Sequence, residues 1–130
     1  MDSGSYRLYL RLNQSLTLNI GALGLHKFKP GIYVYTGSAM RNLSKRIERH
    51  RRPDKTKRWH IDYLTSHPAF QIIKVQVYPS PEREECVRNM QVEAQAFSEI
   101  PMKRFGSSDC RTCPAHLFYF PNPPEIMEEG

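Results

Sequence analysis

GIYVYTGS at residues 31–38 and NLSKRIERH at residues 42–50 decide the fold of this chain. The first stretch is rich in β-branched and aromatic residues and ends in Gly-Ser, which predicts a strand that stops there. The second places Leu43 and Ile47 four residues apart behind Asn42, which predicts a capped amphipathic helix. A strand that leads directly into a helix is therefore the starting point for the fold.

The same strand and helix carry side chains suited to phosphate chemistry. Arg46 and His50 are four residues apart, so they lie in one row along the helix. The strand contributes Tyr33 and Tyr35, although Tyr33 is more simply explained as a packed strand aromatic. A strand with tyrosines beside a helix with an arginine and a histidine is compatible with a site that handles phosphate.

Positive charge is concentrated around that helix. The chain has a net charge of +6, from 19 lysines and arginines against 13 acidic residues. Residues 41–58 alone contain nine basic and two acidic residues, which is typical of a surface that binds a polyanion. A solvated helix face is the alternative explanation of such a charge run. The candidate nucleic-acid-binding residues are Lys45, Arg49, Arg51, Arg52, Lys55, Lys57 and Arg58.

Length and composition limit the class of protein. A chain of 130 residues fits one domain with one core. We expect this domain at residues 1–120 and a loose proline- and acid-rich tail at residues 121–130. No apolar run is long enough to cross a membrane, and residues 1–5 do not resemble a secretory signal. Because the three cysteines favour a reducing compartment, we expect a cytoplasmic protein.

Hydrophobic periodicity predicts an α+β fold with a small central mixed or antiparallel sheet flanked by helices. We predict strands at residues 6–12, 15–20, 32–36, 70–78 and 116–120, with a turn-rich connection at residues 21–30. Helices are predicted from about residues 42 and 59 and from Ser80-Pro81, where serine would cap and proline would occupy the first turn. The last helix is expected to bury Cys86, Met90, Ala94 and Phe97.

Several short motifs, spread over nearly the whole chain, form a set that points to one family. They are Gly4-Ser5-Tyr6, residues 30–39, Arg46 with His50, residues 59–64, Glu85-Cys86 and residues 105–117. With these motifs the chain resembles the GIY-YIG nuclease superfamily. More narrowly, it resembles a small, mostly archaeal family of unassigned function that is sometimes fused to endonuclease-III-type DNA glycosylases.

The superfamily pattern can be placed on this sequence in one consistent way. Gly4-Ser5-Tyr6 matches the first signature element and Tyr35-Thr36-Gly37 the second, because an Asn-Leu-x-x-Arg helix follows the latter directly. Gly31-Ile32-Tyr33 is a literal match to the first signature, but nothing at the usual distance after it supplies the second. The connection between the two elements is longer than usual, and Ser38 stands where many members carry a basic residue. This placement requires the two tyrosine strands to be antiparallel neighbours.

The resemblance implies phosphodiester hydrolysis with Mg²⁺ or Mn²⁺ as the cofactor. The implied catalytic residues are Tyr6, Tyr35, Arg46 and His50. The implied metal ligand is a single glutamate on the helix after the strand at residues 70–78, with Glu85 preferred and Glu93 as the alternative. Arg46 would neutralise charge on the phosphate, and His50 would carry a proton near neutral pH. Either phenol would need its pKa of about 10 lowered before it acted as a base.

Two further groups of residues carry potential chemistry. Trp59-His60-Ile61-Asp62 is either a buried tryptophan beside a His60–Asp62 hydrogen bond or a second polar cluster at the substrate groove. Cys110, Cys113 and His116 are spaced as zinc ligands, and Cys86 or His60 would supply the fourth. Buried structural cysteines are the alternative.

These observations favour a divalent-metal-dependent endonuclease that cleaves DNA in a process such as DNA repair. A non-catalytic nucleic-acid-binding module on the same scaffold and a zinc-stabilised interaction domain are the alternatives. DNA is favoured over RNA as the partner.

Overall fold

A computed structural model of the chain describes residues 1–106 and 112–129. Four strands form an antiparallel sheet in the order β5-β1-β4-β6. They are β1 (Gly4–Leu12), β4 (Gly31–Ala39), β5 (Phe70–Pro79) and β6 (Leu117–Phe120). A separate two-stranded sheet pairs β2 (Leu16–Asn19) with β3 (Leu25–Phe28). The helices are α1 (Leu43–Arg51), α2 (Asp62–Thr65) and α3 (Glu85–Glu93), with short 3₁₀ turns at Gly21–Leu23 and Glu125–Glu128. The predicted α+β class is confirmed.

β1 is a central strand because β4 and β5 bond to its two sides. Its alternating apolar residues place one row of side chains on one face of the sheet. That row is Tyr6, Leu8, Leu10 and Leu12, all of them buried. The opposite face of β1 is also covered, since Tyr9 is fully buried among residues of β4 and β6.

Two cores lie on the two faces of the sheet. The first joins the Tyr6 face to Leu43 of α1, Leu64 of α2 and Phe28 of the hairpin. The second joins the Tyr9 face to Val92 of α3. Helices therefore flank the sheet on both faces, as expected. None of the helices in the described ranges is long and apolar enough to cross a membrane.

The last helix begins later than its sequence predicts. Its start at Ser80-Pro81 is wrong, because the Ser80 hydroxyl instead accepts the backbone N–H of Glu82 in a local turn. The predicted buried face is also wrong: Met90, Ala94 and Phe97 are exposed, Met90 at 54% and Phe97 at 82%, and Cys86 is only half-buried. Val92 and Asn89 are buried instead, because Asn89 donates a hydrogen bond of 2.7 Å to the backbone oxygen of Ala115.

The start of α1 differs in its cap. Asn42 is in the left-handed region with a φ of 57° and makes no side-chain cap. The carboxylate of Asp2 accepts the backbone N–H of Ser44 at 2.9 Å instead. A residue distant in sequence thus supplies the cap that the local pattern assigns to Asn42.

Three other segments depart from the local pattern. The connection predicted at residues 21–30 contains β3, which pairs with β2. The helix predicted from residue 59 is reduced to α2, because Asp62 accepts the backbone N–H groups ahead of it. The end of the chain is not loose up to residue 129, since Ile126 is buried in the second core and its backbone oxygen accepts a bond from Gln76.

Candidate active site

Two tyrosines meet at the end of the sheet where β1 begins and β4 ends. Antiparallel pairing places Tyr6 opposite Gly37 and Leu8 opposite Tyr35, and the centroids of the two tyrosine rings lie 6.4 Å apart. A Cβ atom at Gly37 would come within 2.5 Å of the Tyr6 hydroxyl oxygen, so glycine leaves the room that this ring needs. The prediction that the two tyrosine strands are antiparallel neighbours is confirmed.

His50 from α1 contacts the Tyr6 hydroxyl. Its Nε2 lies 2.7 Å from the hydroxyl oxygen, and the imidazole is fully buried. Burial, reinforced by the Lys55 cation, lowers the pKa of His50 to about 3, so the ring is neutral at physiological pH. A neutral buried imidazole suits a residue that positions the phenol and argues against the expected role as a proton carrier near neutral pH.

Both phenols are held in their protonated form. Burial raises the pKa of Tyr6 well above its usual value of 10.0, and Tyr35 adds to the shift. Burial also raises the pKa of Tyr35, with the Glu85 carboxylate acting in the same direction. The two tyrosines therefore enter the site as hydrogen-bonding phenols and not as phenolates.

Arg46 from α1 reaches the same site. Its guanidinium donates a hydrogen bond of 2.6 Å to the backbone oxygen of Ser38 and lies over the Trp59 ring, 4.8 Å from the centroid. Arg49 lies over the same ring at 4.6 Å. A guanidinium has five N–H donors, so Arg46 retains donors for an anion.

Glu85, at the start of α3, supplies a carboxylate to this site. Its Oε1 accepts the Ser38 hydroxyl at 2.7 Å, and its Oε2 lies 2.8 Å from His116 Nδ1. Burial acts to raise the pKa of Glu85, but the hydrogen bonds from His116 and Ser38 outweigh it and the pKa is lowered. Glu85 is therefore ionised at neutral pH.

These side chains line one cavity of about 560 Å³. Tyr6, Tyr35, Arg46 and Glu85 all contribute to its wall. Among the described residues, Glu85 is the only carboxylate in the lining, and Glu93, the alternative ligand, is not part of it. The charges in the lining are the guanidinium groups of Arg46, Arg58 and Arg83 against the Glu85 carboxylate. The cavity is thus suited to an anionic group.

The predicted pair of His60 and Asp62 is divided by the structure. His60 lines the cavity, and its Nδ1 accepts the backbone N–H of Gly106 at 2.9 Å. Asp62 is fully buried and forms a bidentate ion pair with Arg49, in which the guanidinium nitrogens lie 2.9 and 3.0 Å from the carboxylate oxygens. Among the residues that the structure describes, the two side chains form neither a joint polar cluster nor a hydrogen bond with each other; Asp62 instead holds Arg49 and the backbone ahead of α2.

The basic segment separates into structural and exposed cations. Arg49 is paired with Asp62, and Lys55 donates to the backbone oxygens of Arg49 and His50 at the end of α1. Burial lowers the pKa of Lys55 to about 8. The remaining predicted cations are exposed and available to a polyanion; they are Lys45, Arg51, Arg52, Lys57 and Arg58.

A group of potential metal ligands lies next to Glu85. The side-chain ligand atoms of Cys86, Cys113 and His116 lie within 4.8 Å of one another. Cys110, the remaining predicted ligand, lies outside the described residues. Within the described part of the chain the group does not include His60.

Ser38 and Arg83 belong to the site, and neither was predicted as a site residue. Ser38 bonds to both Arg46 and Glu85, through its backbone oxygen and its hydroxyl. Arg83 lines the cavity from the segment before α3. The sequence offers little signal for either residue, because Arg83 lies outside the basic segment and a single serine after a strand is typical of a turn.

The chain belongs to the family described as Domain of unknown function DUF123, whose model matches residues 5–129. No curated protein and no solved structure shows significant similarity to the chain. The description of the family names no activity.

Proposed function

We propose that this protein is a divalent-metal-dependent endonuclease of the GIY-YIG type that hydrolyses phosphodiester bonds in DNA. One observation carries the proposal: Tyr6, Tyr35, Arg46 and Glu85, which are far apart in sequence, line a single cavity rich in arginine. DNA as the substrate, and DNA repair as the setting, follow from the resemblance to the superfamily.

The electrostatics of the cavity support phosphate binding. Arg46, Arg58 and Arg83 place three guanidinium groups around it, and a guanidinium binds phosphate oxygens through two parallel hydrogen bonds. Exposed cations on α1 and the loop after it extend this positive surface beyond the cavity. A nucleic-acid backbone would therefore find charge complementarity both at the cavity and on the way to it.

Glu85 fits a single hard cation. It is ionised, it lines the cavity, and each of its oxygens accepts only one hydrogen bond in the described structure. Mg²⁺ is commonly held by one or two carboxylates with water and phosphate oxygens as the other ligands. When bound, such an ion would supply positive charge beside the phosphate.

The protein residues would divide the remaining work. With His50 Nε2 as the unprotonated ring nitrogen, the Tyr6 hydroxyl would donate to it, and the phenolic oxygen would remain an acceptor that orients the attacking water. Tyr35 donates to a phosphate oxygen from the neighbouring strand. Arg46 neutralises the charge that develops on the phosphate in the transition state. His50 acts here as a positioning residue, since it lies behind Tyr6.

A cleavage assay on plasmid and oligonucleotide DNA, with and without Mg²⁺ or Mn²⁺, tests this proposal. We expect cleavage that requires the metal, and we expect Arg46→Ala to lower turnover by about 10²–10³-fold while weakening DNA binding much less. Arg11→Ala is the matched control, because Arg11 is exposed at the opposite end of β1. Glu85→Gln should remove cleavage, whereas Glu93→Gln should retain it.

The assay also separates the alternatives. If the wild-type protein binds DNA but cuts nothing with any divalent ion, the protein is a non-catalytic binding module. If Glu93→Gln is inactive and Glu85→Gln cuts normally, the assignment of Glu85 as the metal ligand is wrong and the nuclease assignment stands.

A further inference from the structure

Three soft or borderline metal ligands converge beside the cavity, although the proposed reaction uses none of them. Cys86 is the second residue of α3, whereas Cys113 and His116 lie on the segment that leads into β6. Their ligand atoms lie within 4.8 Å of one another, with Cys113 and His116 buried and Cys86 half-buried. Two separate parts of the chain thus present two thiols and an imidazole to one point.

The backbone holds this arrangement in place. Buried Asn89 donates a hydrogen bond of 2.7 Å to the backbone oxygen of Ala115, which ties α3 to the second segment. The backbone N–H of His116 donates a hydrogen bond of 2.7 Å to the backbone oxygen of Phe105. The backbone oxygen of His116 accepts a hydrogen bond of 3.0 Å from the backbone N–H of Thr36. His116 is therefore fixed against β4 independently of what its side chain binds.

The chemistry of this group matches Zn²⁺ better than Mg²⁺. Zinc binds cysteine sulfur at about 2.3 Å and histidine nitrogen at about 2.0 Å in tetrahedral geometry, so two of its ligand atoms lie less than about 4 Å apart. The spacing of the three atoms needs only a small contraction to meet this. Mg²⁺ prefers oxygen ligands, which this group does not offer.

We propose that Cys86, Cys113 and His116 bind one Zn²⁺ ion, and that Glu85 orients His116. Because His116 Nδ1 lies 2.8 Å from Glu85 Oε2, the ring binds the ion through Nε2. A carboxylate on the second ring nitrogen is the usual support of a zinc-bound histidine. The cysteines bind as thiolates, so their two protons pass to the solvent when the ion is taken up.

This zinc site goes beyond the proposed nuclease and shares Glu85 with it. Glu85 lies between the two, since it lines the cavity and holds His116. Zinc would fix the start of α3 to the segment before β6, and with it the position of Glu85. The metal content of the protein can be measured whether or not the protein cuts DNA, so failure of one proposal does not imply failure of the other.

The first experiment uses the full wild-type chain. Protein purified with zinc present should contain about one equivalent of zinc by elemental analysis. Refolding with Co²⁺ in place of zinc should give the intense thiolate-to-cobalt absorption of a cysteine-bound ion. The proposal would be overturned by a protein that holds no zinc, shows no such band and lets a reagent alkylate the thiols of Cys86 and Cys113.

Variants then test the ligands. His116→Asn and Cys113→Ser should each lose the bound zinc, whereas His26→Asn, in the distant hairpin strand β3, should retain it. Glu85→Gln should keep the stoichiometry and bind zinc about 10–100-fold more weakly in competition with a chelator. A His116→Asn variant that binds zinc with the affinity of the wild type would contradict the assignment of His116 as a zinc ligand. If a ligand variant fails to fold, the zinc content and cobalt spectrum of the wild type still decide.

Discussion

Tyr6 shows how closely the residues of the site depend on one another. It packs against Tyr35 on one side, contacts His50 through its hydroxyl and fills the space that Gly37 leaves open. The role of Gly37 is therefore steric: the absence of a side chain opposite Tyr6 permits the ring to reach the cavity.

Gly37→Ala should destabilise the protein through this contact. The added Cβ would meet the Tyr6 hydroxyl oxygen at 2.5 Å and the ring carbon that bears it at 2.6 Å, and overpacking of this kind costs about 1–3 kcal/mol. Urea unfolding of Gly37→Ala, Tyr6→Ala and the double variant measures the effect. If the clash with Tyr6 is the cause, the double variant loses less stability than the sum of the single variants; strict additivity would place the cause elsewhere.

The buried His50 ring should make the protein sensitive to acid. Its folded-state pKa of about 3 lies below its usual value of 6.5, so the unfolded state takes up a proton first as the pH falls. Stability is therefore present above pH 6.5 and is lost progressively toward pH 3. We expect a contribution of about 2 kcal/mol between pH 7 and pH 5.

Urea unfolding at several pH values checks this prediction against His50→Gln, which keeps a polar side chain but cannot titrate there. Charged groups near the ring also affect how stability changes with pH, so the difference between the two proteins is the quantity to compare. The charged neighbours are Lys55, Asp62, Arg49 and Arg46. Identical acid sensitivity in both proteins would show that His50 is not the source.

At the scale of elements, α1 and the loop after it divide their basic residues between two functions. Arg49 and Lys55 are used inside the fold, where they bind Asp62 and the last backbone oxygens of α1. Arg51, Arg52 and Lys57 are exposed. Only the exposed set can exchange counterions with a nucleic acid without breaking the fold.

Nucleic-acid binding should therefore depend on salt through the exposed set. Replacing Arg51, Arg52 and Lys57 together with Ala should flatten the slope of log affinity against log salt by about 0.9 for each phosphate that the variant no longer neutralises. Fluorescence anisotropy with labelled DNA measures the slope, and Arg11→Ala is again the control. An unchanged slope in the triple variant would identify the basic segment as a solvated face.

At the scale of the whole molecule, the site lies where parts of both cores meet at one end of the sheet. Tyr6 and Tyr35 belong to the first core, and Val92 of α3, the helix that carries Glu85, belongs to the second. α1 brings Arg46 against the end of β4, where Ser38 contacts both Arg46 and Glu85. The cavity thus depends on packing on both faces of the sheet.

Local patterns in the sequence were sufficient for the main strands, for α1 and for the concentration of positive charge. The alternation in β1 and the four-residue spacing in α1 are strong because each repeats the geometry of its own element. The predictions of where α3 starts and of which face it buries were wrong, because Ser80 and Asn89 form hydrogen bonds that compete with the local pattern.

Tertiary structure decided which of the candidate glutamates and which of the candidate cations belong to the site. The sequence leaves two glutamates of α3 as candidates, with Glu85 preferred, and of these two only Glu85 lines the cavity. The local sequence does not distinguish the seven predicted cations from one another, but Arg49 forms an ion pair with the buried carboxylate of Asp62. Such choices depend on contacts between residues far apart in sequence, whereas periodicity reports only on neighbours within one element. The sequence by itself therefore determined the main strands, α1 and the concentration of positive charge, and packing determined the site.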